Sequence, residues 1–338
     1  MKKLLLFVLF LILFLASDKL FSQKAELIVL AKSGDVVCKK KNSSKWEKVA
    51  ITDKLSKGSK IKINAGGYLS LIHTNGGYLE IYAESSTEYD VSKLSKSIES
   101  EKTGLSKRFV LYLVNKISGS SNILSTRENL DKSLDSDELT DKRMAVERSI
   151  ELNNFTPIRH KKAIQPRLPR ATYVLDPMIR FSWYKFQNIE NYEFKITDNN
   201  EKVIFNKVTK DTTTVVNFQE LNLRKGECYY WSISDEDGEY SSDEYCLYWL
   251  TDSISKHIND TLNIISQEFT NKNSSIQQLY LASFLEEKSI IYLAEQAYKQ
   301  AWKNSPQIID YKRYYIDFLK RIGLVEEANY LSSELQNK

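Results

Sequence analysis

The chain contains three histidines, His73, His160 and His257. They fall in three different predicted segments with no cysteine or carboxylate at ligand spacing, so neither a metal centre nor a histidine-based triad is expected. His73, on a predicted strand, reads as an ordinary half-buried residue. The pairs Gly66-Gly67 and Gly76-Gly77 do not lead into a helix carrying the Lys-Ser/Thr of a phosphate loop, and read as hairpin turns. Asp235, Glu236, Asp237, Asp243 and Glu244 place several oxygens near one turn, which would suit a hard cation. Their spacing is not that of a helix-flanked calcium loop, and a solvated acidic loop is the simpler reading. No converging carboxylate pair and no activated nucleophile stands out, so the chain is expected to be no enzyme and to need no cofactor.

Three cysteines, Cys38, Cys228 and Cys246, are too few for a disulfide framework. Cys228 and Cys246 fall symmetrically about Asp237, beside an Asp-Gly turn signal, which makes them candidates for one disulfide across a hairpin. Tyr229, Trp231 and Ile233 occupy the other face of the strand, so both sulfurs are expected on the outer face. Arg159, His160, Lys161 and Lys162, with Arg167 and Arg170, form a basic stretch without acids between Glu151 and Asp176. It is a candidate contact for an anionic surface, set against the plainer reading of a solvated linker. The formal net charge of +4 falls to about +2 if residues 1–23 are removed, and no nucleic-acid partner is predicted.

The elements that would position these residues begin with an export signal. Lys2 and Lys3 precede an uninterrupted apolar run from Leu4 to Ala16, the layout of a secretory leader, and residues 1–23 are read as a signal peptide. As a helix the run would span ~20 Å against the ~30 Å hydrocarbon core of a bilayer, which favours cleavage. Retention as an N-terminal anchor is the alternative, because no small-residue cleavage pattern is clear. The expected location is the periplasm or the cell envelope.

Residues 24–92 show alternating runs at Ile61-Ile63, Tyr68-Ile72 and Tyr78-Tyr82, punctuated by Gly66-Gly67 and Asn75-Gly76-Gly77. Gly34-Asp-Val36, Trp46, Gly58-Ser-Lys-Ile61, Ala65-Gly66-Gly67 and Asn75-Gly76-Gly77-Tyr78-Leu79 together resemble a FecR-type β domain. In that family the domain is the periplasmic part of an anti-sigma regulator. Only two lysines precede the apolar run here, so what the resemblance implies is an extracytoplasmic β module. Leu105, Phe109, Tyr112, Leu113 and Lys116 follow at helical spacing, and this helix is expected to pack on the β domain, giving a unit of 24–118. Residues 119–171 read as a linker, first charged and partly helical, then basic and rich in proline, with Pro157, Pro166 and Pro169.

From 172 to 251 the period returns to two, through Ile179-Trp183, Tyr192-Ile196, Val203-Phe205, Val215-Phe218, Tyr229-Ile233 and Tyr245-Leu250. Six or seven short strands at this spacing predict a β-sandwich. The Phe181-Ser-Trp183 and Tyr192-Glu-Phe194-Lys-Ile196 strands, with Leu223 to Tyr229 at the offset of a tyrosine corner, resemble a fibronectin type III or Ig-like domain. Lys225 replaces the corner proline.

Residues 252–338 read as helical. Leu281, Ala282, Leu285, Ala294, Tyr298, Ala301 and Pro306 follow the spacing of a tetratricopeptide repeat, and the ~34-residue period continues from Leu281 to Tyr315, Leu285 to Leu319 and Ala294 to Ala328. The first helix of each such repeat lines a concave side, which makes Gln278, Tyr311, Lys312 and Tyr314 candidate partner-binding residues. Tyr298 and Ala301 are expected to face the neighbouring helix.

The fold class expected is therefore multidomain β plus α: a FecR-like β domain, an Ig-like or fibronectin III-like sandwich and TPR-like α-hairpins. Such modules work through surfaces, and the function expected is that of an exported, non-catalytic scaffold that binds another envelope or secreted protein. The alternatives are an exported hydrolase or glycan-processing enzyme and a membrane-anchored FecR-like regulatory component.

Overall fold

The computed structural model describes residues 25–100 except 75, and residues 164–336 except 187, 188 and 270–273. The predicted signal segment, the helix at 103–118, and the linker up to 163 with Arg159, Lys161 and Lys162 lie outside the described residues. The chain divides into two units, residues 1–114 and 115–338.

The first unit contains β1 (Ala25–Ser33), β2 (Val36–Lys39), β3 (Glu47–Lys48), β4 (Lys54–Ser56), β5 (Lys60–Ile63), β6 (Tyr68–His73), β7 (Tyr78–Tyr82), β8 (Thr87–Asp90) and α1 (Val91–Ser100). They form two four-stranded antiparallel sheets, ordered β4-β1-β6-β7 and β3-β2-β5-β8. Alternation decides which side chains meet between the sheets: Leu27, Val29, Leu69 and Leu71 from one sheet pack with Val36, Ile61 and Ile63 from the other. On β5 the alternate residues, Lys60 and Lys62, are exposed. Strand β6 is buried at every position, so both faces of its sheet are covered. Two glycines permit the close approach of the strand ends. A Cβ at Gly67 would lie 2.7 Å from Ile63 Cγ2 and 2.8 Å from the Asn64 carbonyl oxygen, and Gly34 adopts φ +74 beside it. The Asp90 carboxylate accepts the Ser92 N–H at 2.8 Å and so starts α1.

The second unit opens with β9 (Pro166–Leu168), β10 (Thr172–Val174), β11 (Met178–Trp183), β12 (Tyr192–Thr197), β13 (Val203–Thr209), β14 (Thr213–Asn217), β15 (Cys228–Asp235) and β16 (Tyr245–Trp249). A five-stranded sheet, β10-β16-β15-β12-β13, faces a three-stranded one, β14-β11-β9. All pairings are antiparallel except β10 with β16. The core between them is aromatic: Phe181 meets Phe194 at 4.8 Å and Trp231 at 5.1 Å between ring centroids. The Trp231 Nε1–H is satisfied by the Pro169 carbonyl at 2.8 Å.

The linker expected to end at residue 171 is corrected here. Pro166–Leu168 is an edge strand paired with β11, where a proline costs no ladder bond on its free side.

At the corner before β15, the Tyr229 hydroxyl accepts the Arg224 N–H at 2.7 Å and donates to the Arg224 carbonyl at 3.0 Å. Tyr229→Phe leaves both backbone groups without this partner and is expected to cost about 1–2 kcal/mol. Chemical denaturation of the two proteins measures it, and an unchanged midpoint would show that the corner does not hold the turn.

The helical part comprises α2 (Asp252–Glu268), α3 (Ser275–Glu287), α4 (Ile291–Asn304), α5 (Ile309–Arg321) and α6 (Val325–Gln336). Helices α3 and α5 begin 34 positions apart, at 275 and 309, and α4 and α6 likewise, at 291 and 325. Ala282, Ala294 and Ala328 are fully buried and Ala301 nearly so, and these small side chains let successive helices approach; Tyr298 is buried as well. Within the described residues no helix is long and apolar enough to cross a membrane.

Candidate functional site

The densest set of polar contacts in the second unit joins the sandwich to the helices. Thr172 begins it: its hydroxyl accepts the Ile291 N–H at 2.9 Å and donates to the Ser289 carbonyl at 2.9 Å. Helix α4 has no side-chain cap of its own, so the sandwich supplies one. The Tyr173 N–H reaches the Ser289 carbonyl at 3.0 Å. From the helical side, the Tyr292 hydroxyl accepts the Asp176 N–H at 2.8 Å and the Leu175 N–H at 3.2 Å.

Arg167, on β9, supplies the charge. Its guanidinium makes a two-pronged contact with Glu327, Nε and Nη2 each 2.8 Å from a carboxylate oxygen, and Nη2 also reaches Glu295 at 3.1 Å. Tyr315 donates to Glu295 at 2.8 Å and Tyr184 to Glu327 at 3.3 Å. Burial, with the neighbouring Glu327 charge, pushes the Tyr184 hydroxyl up to about 12. Arg170 lies at the C-terminal end of α5, its Nη1 3.4 Å from the carbonyls of Ile322 and Gly323, where a cation is favoured. A second closed cluster ties three helices together, with Arg321 on both oxygens of Glu286 at 2.7 and 2.9 Å and Tyr298 donating to Glu286 at 2.8 Å.

Burial alone would raise the Glu327 carboxyl, but the hydrogen bonds and charge of Arg167 outweigh it and hold the group below the ordinary carboxylate range. A depressed folded-state value means that the unfolded chain binds the proton more readily. The contribution is therefore complete above the ordinary glutamate range and is lost as the pH falls from there through the folded-state value. Thermal scans of the chain and of Glu327→Gln between about pH 6 and 3 should show the variant losing less stability on acidification. Parallel losses would mean that Glu327 does not carry this dependence.

The basic stretch predicted as a contact for an anionic surface thus loses Arg167 and Arg170 to internal partners. Sequence reading missed Glu295, Glu327, Tyr184, Tyr292 and Thr172 altogether. Partners lie as far as 160 positions apart, so no local spacing announces them. The one available signal was the lack of nearby acids around Arg167 and Arg170.

The concave-face candidates also need correction. Tyr311 is 1% exposed, Tyr314 6% and Lys312 7%, and only Gln278 remains half-buried. The physical reason is the width of the apolar arc: α5 buries Tyr311, Tyr314, Tyr315, Ile316, Phe318 and Leu319, more than one face can hold. Lys312 lies 4.9 Å over the Trp302 ring and pairs with Glu334 at 2.7 Å.

Cys228 and Cys246 stand diagonally across β15 and β16, opposite Tyr248 and Tyr230 respectively. Their sulfurs lie 2.8 Å apart, with no disulfide bond between them. Both lie on the face opposite the core residues Tyr229, Trp231 and Ile233, but Cys246 is covered there, at 3% exposure. The contact with Cys228 and burial together push its thiol far up, away from the thiolate form. Exposure to a disulfide donor is expected to join the pair by thiol–disulfide exchange, the donor leaving as dithiol. Alkylation of the unfolded, unreduced chain should then label Cys38 alone, whereas labelling of all three would refute the pairing.

His73 is buried, its Nε2 3.0 Å from the Ser95 hydroxyl on α1, and His257 is exposed. His160 lies outside the described residues. Among the described residues no three His, Cys, Asp or Glu side chains gather as a metal site. In the acidic loop the Asp235 carboxylate accepts the Tyr240 N–H at 3.0 Å, and Glu236 accepts from Asn191 at 3.0 Å.

No family model matches the chain, and no curated protein matches it. Among solved structures it is similar to the adhesin domain of Epf from Streptococcus pyogenes at 11% identity, over 27% of this chain and 33% of that one, with a TM-score of 0.21. It is also similar to the spore cortex lytic enzyme SleM from Clostridium perfringens at 20% identity, over 26% of this chain and 27% of that one, with a TM-score of 0.18. The chain thus spans about a third or less of either structure's length, and likenesses this low carry no argument about fold or activity.

Proposed function

We propose that the chain is an exported, non-catalytic scaffold of the cell envelope that holds another envelope or secreted protein. In this reading residues 25–100 form a FecR-like module, the sandwich is Ig-like or fibronectin III-like, and the helical hairpins are tetratricopeptide-like. The hydroxyl of Tyr229 at the corner supports the second assignment. The matched helix starts and buried alanines support the third. The single observation that carries the function is the joint: Arg167, Arg170, Thr172 and Tyr292 bond the sandwich directly to α4, α5 and α6. A joint of this kind holds two surfaces in fixed orientation, which is what a scaffold needs. Its charged groups are spent on one another, with Arg167 on Glu295 and Glu327, rather than aimed at a substrate.

Chemical cross-linking of the tagged full chain in intact cells, followed by fractionation, tests this. The chain should appear outside the cytoplasm with one stoichiometric protein partner, and Arg167→Ala should reduce that partner's yield while both parts stay folded. Recovery from the cytoplasm, or no partner in any fraction, would contradict the proposal.

A further inference from the structure

The first unit carries a cationic face. Residues 39–62 contain nine lysines against Glu47 and Asp53, and the fold gathers part of this charge on the outer side of one sheet. On β5, Ile61 and Ile63 point into the core and Lys60 and Lys62 point out. Lys39 is the direct cross-strand partner of Lys60, and Val37 lies between Lys48 and Lys62 in one row across β3, β2 and β5. Like charges directly opposite on a sheet are destabilising, and on the other side of β5 the strand β8 offsets them, with Asp90 opposite Lys60 and Glu88 opposite Lys62. Glu88 relieves Lys60 at 2.6 Å, and Glu47 relieves Lys40 at 3.3 Å. The stem of Lys41 lies against Gly58, which brings another cation to the same end of the sheet. Beside them Trp46 is half-buried, with Lys39 Nζ 5.0 Å over its ring.

We propose that the outer face of β3-β2-β5 binds a linear anionic glycan. Cations on this face repeat at ~6.6–7 Å along a strand and ~4.8 Å between strands, which suits a chain of regularly spaced acidic groups. Lysine is a point charge that meets sulfate, carboxylate or phosphate without fixed fork geometry, and residues 25–100 contain no arginine. A single indole suits a sugar ring, whereas single-stranded nucleic acid is held by a succession of stacking aromatics. A bilayer would need apolar anchors. In this unit Tyr82 is the exposed large apolar side chain among the described residues, and it lies on β7 in the other sheet. The inference does not depend on the protein partner proposed above.

Binding of the full chain to heparin, used as the anionic glycan, is measured against neutral dextran, an oligonucleotide of equal charge and phosphatidylglycerol vesicles. Heparin should bind tightest, with affinity falling steeply as salt is raised. The triple variant Lys39→Gln, Lys48→Gln and Lys62→Gln should weaken it at least about tenfold and flatten the slope of log affinity against log salt by roughly two to three. Lys207→Gln with Lys256→Gln, in the second unit, should leave both unchanged. Salt-insensitive binding by the native chain, undiminished affinity of the triple variant, or tighter binding to oligonucleotide or vesicles would each overturn the proposal.

Discussion

Trp231→Ala is expected to destabilise the second unit more than any other single change considered, by at least about 4 kcal/mol. Trp231 is 1% exposed and packs between Phe181, Phe194 and Tyr245 at centroid distances of 5.1, 5.8 and 6.1 Å. Truncation removes that contact area and leaves a cavity, which costs about 3–5 kcal/mol at aromatic core sites. It also strands the Pro169 carbonyl, which accepts the indole N–H, for roughly 1–3 kcal/mol more. At ~2–4 °C per kcal/mol for a domain of this size, the midpoint should fall by about 8–16 °C. Trp231→Phe, which keeps a ring in place, should recover most of that. Differential scanning calorimetry on the three proteins checks it, and equal losses from both substitutions would mean that core filling is not what Trp231 contributes.

Arg167→Ala should cost about 2–4 kcal/mol, placed between the values for breaking a buried pair and an exposed one because the side chain is 20% exposed. Most of that loss is the penalty of leaving Glu327 and Glu295 without their cation, rather than the net worth of the pair. The sign can be separated from the size. Arg167→Met combined with Glu327→Gln and Glu295→Gln removes the charges together and should recover much of the loss. Urea unfolding followed at Trp183, Trp231 and Trp249, with Trp46 and Trp302 replaced by phenylalanine, and by helical circular dichroism gives a second readout. In the native chain the two probes should coincide, and in Arg167→Ala they should separate as the sandwich and helices unfold apart. Coincident transitions in the variant, with an unchanged midpoint, would show that the cluster does not couple the two.

Much of this architecture is legible in the sequence because it rests on local periodicity. Strands β5, β6, β7, β11, β12, β13, β15 and β16 fall on the alternating runs, and the turns fall on the Gly and Asp-Gly signals between them. Helices α3 to α6 follow from the 34-position period that carries Leu281 to Tyr315, Leu285 to Leu319 and Ala294 to Ala328. What failed was everything decided by long-range contact. Pro166 reads as linker because proline disfavours central strands, yet an edge strand tolerates it, and β11 supplies the partner, with Pro169 following directly after the strand. Tyr311 and Tyr314 read as surface because tyrosine has a polar tip, and nothing in the local pattern reveals that α5 is packed over so wide an arc. The Arg167 cluster was illegible for the same reason, since its acids come from α4 and α6.

Limited trypsin digestion tests most directly whether the sandwich and the helices form one body. The bonds after Arg167 and Arg170 are followed by Leu168 and Ala171, which are buried at 4% and 2% exposure, and both arginines bond to the helical part. They should resist cleavage for as long as the helices stay folded, while exposed lysines such as Lys202 and Lys210 in the sandwich loops are cut first. Early cleavage after Arg167 or Arg170 in the native chain, leaving a fragment that begins at Leu168 or Ala171, would contradict the joint and the scaffold built on it.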